Sequence, residues 1–184
     1  MGSYSPDPNF IREQILAECA MLEAPHDPYC ALLLQHALRL PFMEIPRIPN
    51  AYRFQPEAWM CHANAHKAVR MDRTRRTRAV YGWWNTGAAL VFHSVVERDG
   101  KMFCITPVVS DDSEAGRRLL FAEDPRIRLE SLDEHFHFRI FKKPVPARLT
   151  LSRDIDLSVA RQMRQKLMAG VDPARIAREP IILT

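Results

Sequence analysis

A two-residue turn signal, Asp99-Gly100, is the feature that most constrains the fold of this chain. It separates two of three segments rich in Val, Ile, Phe, Tyr and Trp. These segments cover residues 78–84, 88–97 and 101–108. An Asp-Gly pair between apolar, β-branched segments is a strong signal for a β-hairpin. The three segments are therefore predicted to be antiparallel strands.

Segments whose apolar residues have helical spacing lie on both sides of these strands. Residues 8–24 are predicted to form one helix, and residues 29–40 a second, mostly buried one. Prolines at positions 41, 46 and 49 make the next stretch an extended connector. The remaining predicted elements are a helix over residues 58–71, with Pro56 as its earliest start, a strand over 136–141, a helix over 157–169 and a short last helix opened by Asp172-Pro173. Together they predict an α+β fold.

The length of 184 residues fits one domain, and a hydrophobic content of 47% is enough to bury a sizeable core. Within the predicted domain, 1–184, we expect an N-terminal helical part (1–49), a core of helix and sheet (50–145) and C-terminal helices (146–184). No apolar run approaches the roughly 18 residues of a membrane span. The first six residues do not have the order of a secretory signal. A cytoplasmic protein is expected, without a membrane partner.

The four cysteines do not have paired CxxC spacing, so reduced thiols are expected rather than a disulfide framework. Cys61 lies near the start of the predicted helix 58–71, where the helix dipole and a nearby imidazolium would both favour a thiolate. His93 lies on a following strand and can act as the base for such a nucleophile. The ordinary alternative is a small buried thiol and a hydrogen-bonded core histidine.

The hairpin register limits which groups lie beside His93. Counting back from the turn, His93 faces Thr106, and Cys104 lies on the same face of the sheet. A group in this position would hold the imidazole ring, as a carboxylate or amide does in a catalytic triad. The candidates for this third position are Cys104, Thr106, Asn64, Asp111 and Asp112.

Residues 55–107 resemble a group of largely uncharacterised bacterial proteins. The shared strings are Cys61-His62-Ala63-Asn64, Gly82-Trp83, Phe92-His93-Ser94-Val95-Val96, Asp99-Gly100 and Ile105-Thr106-Pro107. Their order is similar to that of papain-like and transglutaminase-like cysteine hydrolases, in which cysteine, histidine and a carboxylate follow one another. The resemblance implies a helix packed on an antiparallel sheet, with Cys61 as nucleophile and His93 as base. Gln55, six residues before Cys61, has the papain-like spacing of the oxyanion-hole glutamine.

This chain departs from the pattern at one position. The proteins that it resembles have an aspartate before Ile/Val-Thr-Pro, and this chain has Cys104 there. The expected carboxylate is therefore missing. Either a Cys61/His93 dyad is enough for activity, or this member has lost or changed its activity.

Two further features have ordinary structural explanations. His62 and His66 share one helix face and match zinc ligands in type, but the glutamate of the metalloprotease motif is absent, so we expect no metal or other cofactor. Residues 67–78 hold six basic residues and one acid and would form a basic ridge. The ridge residues are Lys67, Arg70, Arg73, Arg75, Arg76 and Arg78. A solvated helix end explains the ridge equally well, so nucleic acid is the less favoured partner.

The sequence therefore predicts a papain-like thiol hydrolase or acyltransferase that acts on an amide or thioester. The alternative is a non-catalytic binding or adaptor domain with a degraded hydrolase site. Its partner would be a protein or a nucleic acid held by the basic ridge.

Overall fold

The structure is a computed structural model and describes residues 8–24, 27–107, 117–132 and 136–178. The chain forms two compact units, one of Pro28–Leu151 and the other of Met1–Asp27 with Ser152–Thr184. In the described part, α-helices occur together with antiparallel sheets, so the predicted α+β class is confirmed. Helices from the two ends of the chain share one unit, although the sequence prediction placed them in separate parts, 1–49 and 146–184.

Five α-helices and nine strands make up the described part of the chain. The helices are α1 (Pro8–Glu23), α2 (Pro28–Ala37), α3 (Cys61–Met71), α4 (Arg153–Met168) and α5 (Pro173–Arg178). The strands are β1 (Met43–Pro46), β2 (Thr77–Asn85), β3 (Ala89–Arg98), β4 (Lys101–Phe103), β5 (Arg118–Glu123), β6 (Arg128–Leu132), β7 (Phe136–Ile140), β8 (Lys143–Pro144) and β9 (Arg148–Thr150). The proline-rich connector is not wholly extended, because it holds β1 and a short 3-10 helix, Pro49–Ala51.

The main sheet has the order β1-β5-β2-β3-β4, and β9 pairs with the start of β3. Arg98 faces Lys101 across the Asp99-Gly100 turn, as the sequence predicted. The third predicted strand is shorter than 101–108, because β4 ends at Phe103 and the next residue turns to another partner. Val108 lies outside the described residues.

The sheet closes on itself between its first and last strands. Arg47, just after β1, forms a bridge with Cys104, just after β4. Two backbone hydrogen bonds hold the seam: Cys104 N–H donates to Pro46 O at 2.9 Å, and Ile48 N–H donates to Cys104 O at 2.7 Å. The inner face carries a buried apolar cluster of Ile45, Val80, Val95, Cys104, Leu119 and Phe121.

The outer face of the sheet is covered by α3 and by a second sheet. Helix α3 packs on β2 and β3 through a small cluster that includes Ala65, Ala68 and Val96. The second sheet has the order β6-β7-β8, with a bulge in β6 between Leu129 and Ser131. The face between the sheets is strongly aromatic, with Trp83, Phe92 and Phe138 buried against α2.

The second unit is a packing of α1, α4 and α5. Its buried residues are Ile15, Cys19, Leu22, Ala160, Met163, Leu167 and Ile176. Ser152 caps α4 by accepting a hydrogen bond from the Ile155 N–H, which satisfies one of the free amides at the helix start. In the described part of the chain, none of the helices has the length and apolar character needed to cross a membrane.

Candidate functional site

Cys61 is the first residue of α3, so the helix begins later than Pro56 and the thiol lies at its N-terminus. β3 pairs with β9 at residues 89–91 and with β4 at residues 96–98, which leaves an open edge between these stretches. The thiol lies at this edge, where the backbone N–H of Ser94 donates a hydrogen bond to Cys61 Sγ. The N-terminus of α3 therefore meets the strand that carries His93.

Asn64 fixes the start of α3. Its side chain accepts a hydrogen bond from Glu57 N–H at 3.0 Å, donates to Glu57 O at 2.7 Å and donates to Thr106 Oγ1 at 3.2 Å. Asn64 is buried, so these bonds satisfy an amide that would otherwise be costly to bury. The approach to Cys61 is thus tied both to the helix and to the Ile-Thr-Pro segment, and Asn64 holds the loop rather than the imidazole.

His93 lies on the inner face of the closed sheet, 6% exposed. Its Nε2 is 3.2 Å from Cys104 Sγ, and its ring lies 5.6 Å from that of Trp84. The Arg47 guanidinium stacks over the Trp84 ring, 5.4 Å from its centre. Of the predicted third members, Cys104 contacts His93, and Thr106 is bonded to Asn64 instead. Asp111 and Asp112 lie outside the described residues.

Cys61 and His93 both lie beside Ser94, but no direct bond joins them. Strand alternation points Phe92 and Ser94 toward α3 and His93 into the closed sheet. Within the residues that the structure describes, no hydrogen bond joins Cys61 Sγ to His93. Ring atom Nε2 of His93 faces Cys104, so a bond from His93 to Cys61 would have to use Nδ1.

Burial sets the charge states of Cys61 and His93. It raises the pKa of Cys61 to about 11, although the N–H groups of Ser94, His62 and Cys61 itself act in the opposite direction. Burial also lowers the pKa of His93 to about 3, and His62 and Arg47 lower it further. At neutral pH the site therefore holds a neutral thiol and a neutral imidazole. The thiolate and imidazolium expected from the sequence are not its resting forms, because desolvation outweighs the helix dipole.

Gln55 lies in the coil before α3 with an exposed side chain. Its role at an oxyanion stays a prediction.

His62 Nδ1 is 2.6 Å from Ser94 Oγ, and His66 Nε2 is 2.9 Å from the Tyr81 hydroxyl, so the two histidines bond to different strands. Among the described residues, no three His, Cys, Asp or Glu side chains group as metal ligands do.

A cleft of about 400 Å³ lies on the outer face of β3, between His62 and the second sheet. The sequence did not indicate this cleft, because β6 and β8 were not predicted and their residues lie far from Cys61 in the chain. The alternation of Phe136, Phe138 and Ile140 along one predicted strand was the only local sign of an apolar wall there.

No protein-family model matches this chain, no curated protein matches its sequence, and no solved structure matches its fold. The papain-like and transglutaminase-like resemblance therefore stays an expectation from the motif pattern.

Proposed function

We propose that this protein is a thiol hydrolase or acyltransferase that acts on an amide or thioester, with Cys61 as nucleophile and His93 as base. The observation that carries this proposal is the 3.2 Å contact between His93 Nε2 and Cys104, next to a thiol on the first residue of a helix. The contact engages one ring nitrogen with a group in the third position of a triad. The other nitrogen is then free for the nucleophile.

The proposed reaction has two steps. Cys61 Sγ attacks the carbonyl carbon while its proton passes to His93 Nδ1, and the N–H groups at the start of α3, with Gln55, stabilise the oxyanion. His93 then gives this proton to the departing amine or thiol, which leaves an acyl thioester on Cys61. Water or an acceptor amine attacks the thioester, its proton passes through His93 to Cys61, and the product leaves. Catalytic hydrogen bonds that are absent in the free enzyme often form when substrate binds.

Acylation by an aryl thioester tests this proposal. Phenyl thioacetate should acetylate Cys61 in the wild-type protein, as read by intact mass and peptide mapping. His93→Ala should slow this acylation by about 100-fold or more, because the proton acceptor is lost. Cys30→Ala, which removes a partly exposed thiol of α2, is the matched control and should not change the rate. Equal acylation of several cysteines, indifferent to His93, would disprove the proposal.

A non-catalytic adaptor is the second candidate, and the neutral, buried state of both site residues favours it. On the basic ridge, Arg76 pairs with Asp99, and Arg78 pairs with Glu97 and Glu123. Within the described residues, the ridge cations without an ion pair are Lys67, Arg70, Arg73 and Arg75, and all four are exposed. They would provide the contact surface for an acidic partner.

Restoring the missing carboxylate separates the two candidates. If the site is degraded, wild-type protein should resist phenyl thioacetate, and Cys104→Asp should be acylated at Cys61 at least about tenfold faster, because a carboxylate stabilises the imidazolium. The Cys104→Ser variant controls for loss of the thiol alone. Rapid acylation of the wild type would instead argue against the adaptor.

A further inference from the structure

The cleft beside His62 has aromatic walls. The His62 ring lies 4.6 Å from that of Phe92 and 4.7 Å from that of Phe138, and Phe136 continues the wall along β7. The opposite side is formed by the bulged strand β6 at Ser131 and by the segment after β8. Aromatic walls with a few polar groups at the edge are typical of small-molecule sites.

The cleft provides no net charge for an ionic ligand. Its oppositely charged side chains, Glu130 and Arg139, form an ion pair at 2.5 Å and neutralise each other. Burial lowers the pKa of His62 to about 4, so this imidazole is neutral at physiological pH. The second imidazole in the lining, His137, is exposed at the edge. An uncharged ligand therefore meets less desolvation cost here than an anion or cation.

The cleft lies close to the nucleophile along β3. Phe92 in its lining is two residues before Ser94, whose N–H bonds to Cys61 Sγ, and two residues of strand span about 7 Å. His62, also in the lining, directly follows Cys61. A cavity of about 150 Å³ accepts benzene, so about 400 Å³ has room for a group of roughly two rings.

We propose that this cleft receives the acyl group of the substrate and that this group is uncharged and aromatic or branched apolar. The assignment rests on the acyl-transfer function proposed above. An acyl group seated against Phe92 and His62 places its carbonyl toward Ser94 and Cys61, which are the next residues along the strand and the helix.

Binding to a protein that cannot react tests this assignment. The Cys61→Ala variant is titrated by calorimetry with 1-naphthylacetamide, which is uncharged, and with 1-naphthylacetate, its anionic counterpart. We expect the amide to bind and the anion to bind at least tenfold more weakly. Ser131→Trp, added to the Cys61→Ala background, should fill the cleft and weaken amide binding at least tenfold. Glu44→Trp, at an exposed position on β1, should leave binding unchanged.

Several results would overturn the assignment: no binding of the amide, equal binding of both probes, or full binding to the Ser131→Trp variant. Far-ultraviolet circular dichroism checks that Ser131→Trp is folded, and Val145→Trp blocks the same cleft from its other side. Amide binding in the cleft together with an unreactive wild-type protein would support the ligand site and disprove the hydrolase. Acylation of Cys61 with unchanged rates in both tryptophan variants would support the hydrolase and disprove the cleft assignment.

Discussion

The free energy of unfolding should fall steeply as the pH drops below about 6.5, because the buried His93 and the half-buried His62 are both neutral in the folded protein. His62 and His93 have folded-state pKa values of about 4 and about 3, against an ordinary value of 6.5. The unfolded chain therefore binds protons that the folded protein excludes. Their stabilising effect is complete above pH 6.5 and is lost progressively toward the folded values. Each histidine contributes a slope of up to about 1.36 kcal/mol per pH unit, or about 2.7 for the two.

Urea denaturation at pH 7, 6 and 5 measures this slope. The His62→Phe variant places a third aromatic ring beside Phe92 and Phe138 and removes one titrating group. Its slope should be smaller than that of the wild type by up to about 1.36 kcal/mol per pH unit, whatever its stability at pH 7. A free energy of unfolding that stays constant between pH 7 and pH 5 would show that these two imidazoles are not desolvated as described.

Gly82→Ala should lower the free energy of unfolding by about 4 kcal/mol or more, among the largest effects of a single substitution. Gly82 lies in the middle of β2, between β3 and β5. A Cβ added there would lie 1.9 Å from Ala122 O and 2.9 Å from Phe121 Cζ. The first of these atoms belongs to the backbone, so the clash is relieved only if the central strands move apart.

Gly87→Ala is the matched control in the turn after β2. An added Cβ meets nothing within 4 Å there, and the cost comes from the φ of +84° alone. That backbone strain amounts to about 1–2 kcal/mol. Urea midpoints compare the two variants. Equal midpoints would mean that Phe121 and β5 do not approach Gly82 as closely as the structure places them.

The local parts of the fold were predictable, and the parts that join distant residues were not. The hairpin at Asp99-Gly100 was predicted from its turn residues and the helices from the spacing of apolar residues, and both signals depend on neighbouring residues. β1 was missed because Pro46 lies at its end, and prolines argue against a strand. Closure of the sheet depends on Arg47 and Cys104, which lie far apart in the chain, and no local pattern reports such a pair.

In the candidate site, too, the local features were predictable and those that depend on distant residues were not. The register correctly placed Cys104 beside His93, because a hairpin fixes which side chains share a face. It failed for Thr106, since the chain leaves the strand after Phe103 and takes that hydroxyl to Asn64. The charge state was not predictable, because desolvation depends on the tertiary packing around Cys61 and His93.

The seam between Arg47 and Cys104 makes assembly of the site depend on completion of the fold. Cys104 both closes the sheet through its backbone and contacts His93 through its thiol. The seam joins residues that lie far apart in the chain, and loop-closure entropy opposes such a contact until the neighbouring strands are in place. When it opens, β2 and β3 can stay paired while His93 loses its partner and meets water. A transient opening would thus raise the basicity of the imidazole, and hydrogen exchange at the Cys104 and Ile48 amides would report how often this happens.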